Sequence, residues 1–169
     1  ASIGILFVSP AHHCPLEDFP EAQLATLETL LGEMMPRHQL GPKAVVGHSD
    51  VAPERKEDPG EKFPWSRLAA KGLALPPFSG EDIGSALDYG NALSVLAALG
   101  YRFQPTHPAA AILAFQRRFV PSELGQGFSP KTRAALAFAQ QNSVSAPGDH
   151  IGSEKVGSRA KNKDDTASA

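Results

Sequence analysis

Residues 44–65, AVVGHSDVAPERKEDPGEKFPW, join a short apolar run to a polar loop. The short apolar run at residues 44–46, in which Val45 and Val46 are β-branched, predicts a buried strand that ends at Gly47. His48 would then lie at the exit of the strand, where side chains face a cleft more often than a core. We therefore expect the functional side chains of this protein to lie in this stretch.

Two side chains of this stretch have the chemistry of metal ligands. The imidazole of His48 and the carboxylate of Asp58 are both accepted by zinc, and Pro53 and Pro59 stiffen the loop between them. A catalytic zinc site uses three protein ligands and one open position, so two ligands are not a complete site. The alternative is a histidine hydrogen-bonded to a loop aspartate, with Lys56 solvated.

The segment VGHSDVAPERKEDPGEKFPW resembles the second conserved block of the zinc-dependent N-acetylmuramoyl-L-alanine amidases. In that family the histidine of the GHSD block and the aspartate of the K-x-D-P-G block bind zinc, and the lysine between them stabilises the transition state. The resemblance implies that His48 and Asp58 are metal ligands and that Lys56 is catalytic. It also implies a substrate that is peptidoglycan or a muropeptide.

The N-terminal run SIGILFV, residues 2–8, predicts a central buried strand. SIGI is similar to the start of the S-I-G-I-E block of the amidase family, which normally lies well inside the catalytic domain. Leu6 takes the place of the glutamate that assists the zinc-bound water, and the family's first zinc histidine has no counterpart. The resemblance therefore implies an incomplete site without the general-base contribution, which is typically about 10²–10⁴-fold.

The loop at residues 9–20 contains His12, His13 and Cys14, all of which are possible zinc ligands. Adjacent residues rarely chelate one ion together, so a solvated loop is favoured over a substitute ligand. Residues 20–37 follow, with Leu24, Leu27 and other apolar residues at helical spacing, and predict an amphipathic helix.

Strand, helix and strand would form a β-α-β unit. The predicted fold class is α/β, an incomplete amidase-type mixed sheet with flanking helices in residues 1–75, plus a small all-α three-helix domain. Trp65 would either line a sugar or peptide groove or close a small core. Residues 73–80, with two prolines, are expected to be a linker.

Residues 80–141 predict a three-helix domain. Within residues 109–119, Ile112, Phe115 and Phe119 would lie on one face of a helix. Ser129 and Pro130 suit the start of the last helix. The segments LSVLAALGY, AILAFQRRF and GFSPKTRAAL resemble the peptidoglycan-binding domain often attached to wall-lytic enzymes. The alternative is a packing domain without a ligand. Residues 142–169 have almost no large apolar side chains and are expected to be disordered.

Composition narrows the possible partners. The net charge of −2 provides no basic surface, so nucleic acid is not expected as a partner. The single cysteine, Cys14, excludes an internal disulfide, and the sequence has no apolar run long enough for a transmembrane segment. The resemblance implies the bacterial periplasm or cell envelope, with the cytoplasm as the alternative.

Together these observations predict a zinc amidase that is truncated and weak or inactive alone. A separate chain carrying the N-terminal half could complement it by supplying the missing strands and histidine. The alternative function is a non-catalytic peptidoglycan-binding protein, in which the helical domain binds the ligand.

Overall fold

The computed structural model describes residues 2–6, 19–80 and 87–144. Its helices are α1 (Glu21–Arg37), α2 (His48–Val51), α3 (Trp65–Ala70), α4 (Tyr89–Ala98), α5 (Ala109–Phe119) and α6 (Pro130–Val144). Short 3₁₀ turns lie at Pro42–Ala44 and Pro121–Glu123. In the described ranges, no helix combines the length and the apolar character needed to cross a bilayer.

The predicted sheet is not confirmed, because the described residues contain no strand. Residues 2–6 are exposed and irregular, and the predicted strand at residues 44–46 is wrong, because Ala44 ends a 3₁₀ turn and Val46 is exposed. A strand is stabilised by hydrogen bonds to a neighbouring strand. Neither segment has such a neighbour in the described part of the chain.

Helix α1 confirms the predicted amphipathic helix and packs one face on the segment around α3. Its buried apolar residues recur every three or four positions, which places them on one side of the helix. Arg37 ends the helix one residue after Pro36, the predicted end. We call its core the N-terminal core; it consists of Leu24, Leu27, Leu31, Met35, Phe63, Trp65, Leu68 and Ala74.

Charged side chains also connect α1 to α3. Glu28 is only 8% exposed, accepts from Arg67, and pairs with Lys71 at 2.6 Å. The hydrogen bond from Arg67, then the one from Lys71, lowers the pKa of Glu28 from 4.5 to about 2. Since the folded-state pKa lies below the unfolded one, this stabilisation is complete above about pH 4.5 and is lost as the pH falls towards about 2.

Glu28→Gln should therefore remove a contribution to the free energy of unfolding that depends on pH. We expect the variant to be less stable than the parent at pH 7, and the difference to shrink as the pH falls from about 4.5 to about 2. Urea unfolding at a series of pH values measures both curves. Glu33→Gln, on the exposed side of the same helix, is the control and should follow the parent. Parallel curves for Glu28→Gln and the parent would contradict the prediction.

Helices α4, α5 and α6 form a second, C-terminal core. That these helices are the peptidoglycan-binding domain expected at residues 80–141 remains a prediction. Phe115, Leu96 and Leu136 are fully buried at its centre. Asp88 caps α4 by accepting from the backbone amide of Asn91 at 2.8 Å, and Ser129 accepts from the amide of Thr132 at 3.0 Å before α6. Both caps satisfy amides that the helix itself leaves unpaired.

The boundaries of the predicted domains remain a prediction. Residues 142–144 belong to α6, so the prediction of disorder from residue 142 is wrong at its first three positions; the remainder, residues 145–169, lies outside the described residues. The predicted linker packs on the C-terminal core. Leu75 is buried in that core, and the amide of Phe78 donates to the carbonyl of Phe119 at 2.7 Å.

Candidate active site

The loop at residues 52–64 folds back against α2 and brings Asp58 next to His48. The amide of Ser49 donates to the carbonyl oxygen of Asp58 at 2.9 Å. Gly47 allows the close approach, because a Cβ atom there would lie 2.8 Å from Cδ of Pro59. The backbone contact and the small residue together fix the loop against the helix.

The side chains of His48 and Asp58 are in contact. Nδ1 of His48 lies 3.0 Å from Oδ2 of Asp58, and the two side chains are 48% and 42% exposed. The sequence predicted this proximity across the loop. Both groups are open to solvent on one side, so an ion or a ligand can reach them.

Lys56 lies in the same loop and is half-buried. Its ammonium forms no ion pair with any residue of the described ranges, so its charge is not neutralised by a neighbouring carboxylate there. His12, His13 and Cys14 lie outside the described residues. Among the described residues, no group of three histidine, cysteine or acidic side chains is arranged to hold a metal ion.

The geometry of the pair is compatible with one zinc ion. Two ligand atoms at about 2.0–2.1 Å from zinc in tetrahedral geometry lie about 3.3 Å apart. The 3.0 Å between the nitrogen of His48 and the oxygen of Asp58 needs only a small adjustment to reach this value. The donor types also suit zinc, so the pair fits two positions of a zinc site and leaves the others to further ligands.

A buried cluster behind His48 was missed by sequence reasoning. Asp50 of α2 is 7% exposed and Arg118 of α5 is 4% exposed, and Nη1 of Arg118 donates to Oδ2 of Asp50 at 2.8 Å. The hydroxyl of Tyr101 donates to Oδ1 of Asp50 at 2.6 Å. Burial, followed by the charge of Asp50, raises the pKa of Tyr101, which keeps its hydroxyl protonated as a donor.

One signal in the sequence could have located this cluster. Arg118 follows Ala111, Ala114 and Phe115 at helical spacing, so it lies on the buried face of α5. A fully buried arginine is almost always paired, which indicates an acidic partner elsewhere in the chain. Trp65 belongs to the same region, and its 5% exposure places it in the N-terminal core and not in a groove.

Comparison with known proteins connects this geometry to an enzyme family. The sequence model of the family N-acetylmuramoyl-L-alanine amidase matches residues 1–61. The chain is 32% identical over 150 residues to the N-acetylmuramoyl-L-alanine amidase AmiD of Escherichia coli, covering 82% of the chain and 51% of AmiD. It is 46% identical over 50 residues to the 1,6-anhydro-N-acetylmuramyl-L-alanine amidase AmpD of Enterobacter cloacae, covering 30% of the chain and 25% of AmpD.

Solved structures agree with the sequence comparison. The structure of Escherichia coli AmiD with anhydro-N-acetylmuramic acid-L-Ala-D-γ-Glu-L-Lys aligns with a TM-score of 0.64 and 30% identity, over 76% of this chain and 55% of that one. AmpDh3 of Pseudomonas aeruginosa with anhydromuramic pentapeptide aligns with a TM-score of 0.65 and 26% identity, over 77% and 56%. The chain thus spans about half the length of AmiD. In sequence and in fold the chain is therefore similar to N-acetylmuramoyl-L-alanine amidases.

Proposed function

We propose that this chain carries part of the active site of a zinc-dependent N-acetylmuramoyl-L-alanine amidase. Such an enzyme hydrolyses the amide bond between N-acetylmuramic acid and L-alanine in peptidoglycan or muropeptides. The observation that carries the proposal is the 3.0 Å contact between His48 and Asp58, inside the segment matched by the amidase family. The muropeptides bound to AmiD and AmpDh3 support this substrate class.

His48 and Asp58 are the residues that would hold zinc. Zinc held there would supply Lewis-acid chemistry, by polarising the scissile carbonyl group and by lowering the pKa of a bound water molecule. Lys56 contributes a positive charge from the same loop, and its ammonium would stabilise the negative charge that develops on the carbonyl oxygen. The exposure of His48 and Asp58 to solvent leaves room for the substrate.

The described residues support a weak site for this chain on its own. They provide two ligands where a catalytic zinc site uses three. Leu6, at the position of the family's glutamate, is 88% exposed and has no group that can accept a proton. We propose that zinc binds weakly to this chain and that hydrolysis is slow or absent until a further ligand is supplied, for example by a complementing N-terminal half.

Zinc binding by the purified chain tests the proposal. His48→Ala and Asp58→Ala should each weaken zinc binding by about tenfold or more, because each removes a direct ligand. Titration against a zinc-sensitive dye measures the affinity. His38→Ala, at the exposed end of α1, is the matched control and should bind zinc as the parent does. Equal affinities for His48→Ala and the parent would contradict the assigned site.

Muropeptide hydrolysis tests the second part of the proposal. With zinc added, the chain alone should release little or no peptide, and a separately expressed N-terminal half should increase both zinc affinity and release. Rapid release by the chain alone would overturn the proposed weakness of the site but would leave the amidase assignment intact.

A second candidate function is non-catalytic binding of peptidoglycan through the three-helix part, the segment from α4 to α6 (residues 89–144). It is supported by the resemblance of residues 80–141 to a peptidoglycan-binding domain of three helices, since this part of the chain forms the three helices α4, α5 and α6. Sedimentation with insoluble peptidoglycan distinguishes the candidates. Retention without hydrolysis supports binding alone, and no retention contradicts it. For location we propose the bacterial periplasm or cell envelope, with the cytoplasm as the alternative for an amidase that acts on free muropeptides.

A further inference from the structure

The buried carboxylate of Asp50 connects the segment that carries His48 to the three-helix part. Its Oδ2 accepts from the amide of Gly47 at 2.7 Å and from Arg118 at 2.8 Å, while Oδ1 accepts from Tyr101 at 2.6 Å. Hydrogen bonds to a charged group are stronger than neutral ones and are strengthened further by burial. Two of these three donors, Arg118 and Tyr101, come from the C-terminal core.

Arg118 contacts the chain on both sides of His48. Besides Asp50, its Nη2 donates to the carbonyl oxygen of Val45 at 2.8 Å. Its guanidinium also lies over the ring of Trp65, 4.0 Å from the centroid. The planar guanidinium can hold a carboxylate, a carbonyl and an aromatic face at once, which a lysine ammonium cannot reproduce.

The element that carries His48 needs such external support. Helix α2 has only four residues, His48–Val51, and a helix of one turn is not stable by itself. Its orientation is therefore set by contacts with the surrounding structure. On the loop side it is held by Ser49 and Asp58, and on the core side by Asp50 and Arg118.

We propose that Arg118 is a positioning residue for the His48–Asp58 pair, so that the three-helix part is needed to form the candidate metal site. Arg118 acts through Asp50 and Val45, which fix the backbone before and after His48, and it touches neither ligand itself. The expected effect of Arg118 on zinc affinity rests on the proposed function. Its expected effect on the contact between His48 and Asp58 does not, and can be measured without metal.

The test uses the full chain and the variants Arg118→Met and Arg118→Lys. At one fixed pH, the ¹⁵N shifts of the His48 ring report its hydrogen bond to Asp58, with Asp58→Asn as the reference for a broken contact. We expect the His48 shifts of Arg118→Met to lie most of the way from the parent values to the Asp58→Asn values. The shifts of Arg118→Lys should lie between those of the parent and those of Arg118→Met. Zinc affinity should fall by about tenfold or more in Arg118→Met.

A matched control separates positioning from general loss of stability. Arg133→Met removes an arginine of α6 that donates to the carbonyl of Leu87 at 2.7 Å and is not among the donors to Asp50. It should leave the His48 shifts unchanged. If Arg118→Met does not fold, as judged by circular dichroism, Tyr101→Phe replaces it, because that change removes only one hydroxyl donor to Asp50. It should move the shifts in the same direction by a smaller amount.

The outcomes distinguish this inference from the proposed function. Parent-like His48 shifts and zinc affinity in a folded Arg118→Met chain would overturn the inference and leave the proposed function standing. If zinc does not perturb His48 in the parent but Arg118→Met still moves the ring shifts, the proposed function fails and the positioning role is retained.

Discussion

Asp50→Ala should lower the free energy of unfolding by about 3–5 kcal/mol, because it leaves the buried charge of Arg118 without a partner. Arg118 is 4% exposed, so water cannot replace the lost carboxylate without opening the structure. The loss is a large part of the roughly 5–15 kcal/mol that stabilises a typical domain. Urea unfolding followed by the fluorescence of Trp65, the single tryptophan, measures it directly, because Arg118 lies over that ring.

The double variant Asp50→Leu with Arg118→Met is the control for this prediction. Replacing both members of a buried ion pair by apolar side chains is often neutral or stabilising, since neither charge then has to be removed from water. We expect the double variant to regain most of the stability lost in Asp50→Ala. A loss below about 1 kcal/mol in Asp50→Ala, the usual value for an exposed pair, would show that the contact is solvated in solution.

The helices could be predicted because their signals are local. In α1, Leu24, Leu27 and Leu31 recur at helical spacing, and burial of that face follows directly from the pattern. The start of α6 could be predicted from Ser129 and Pro130, since a capping hydroxyl and a fixed proline φ both act within one turn. These features require no knowledge of the rest of the chain.

The strands could not be predicted in the same way: the one at residues 44–46 is wrong, and the one at residues 2–8 is not confirmed in residues 2–6 and otherwise lies outside the described residues. The apolar character of residues 2–6 indicates a segment that can be buried, but a strand also requires a neighbour with which to pair. Val45 and Val46 are β-branched residues that favour a strand, yet the preceding residues Pro42–Ala44 form a 3₁₀ turn and Val46 is exposed. Periodicity cannot reveal whether the pairing partner is present.

The site was predicted in part. His48 and Asp58 are separated by only ten positions in the sequence, in a segment stiffened by prolines, whereas Asp50 and Arg118 are separated by 68. No local pattern specifies which buried acid meets which buried base at that separation. The tertiary fold alone brings α5 against α2, and with it the residues that hold the segment around His48.

Phe115→Ala should lower the free energy of unfolding by about 3–5 kcal/mol, because it removes a fully buried aromatic ring from the centre of the C-terminal core. The ring stacks on Phe119 with centroids 4.9 Å apart and meets the edge of Tyr101 at 6.0 Å. Tyr89→Ala, which truncates a 57% exposed ring on α4, should cost less than about 1 kcal/mol and serves as the control.

The effect of Phe115→Ala should extend to the N-terminal core. Phe115 and Arg118 lie on one face of α5, and Arg118 is in turn bonded to Asp50 and stacked on Trp65. Unfolding of α5 would therefore leave the buried carboxylate without its base. We expect the urea midpoint from Trp65 fluorescence to fall together with the midpoint from circular dichroism. If the midpoint from circular dichroism falls but the midpoint from Trp65 fluorescence does not, the two cores unfold independently. The contacts of Arg118 then do not couple them.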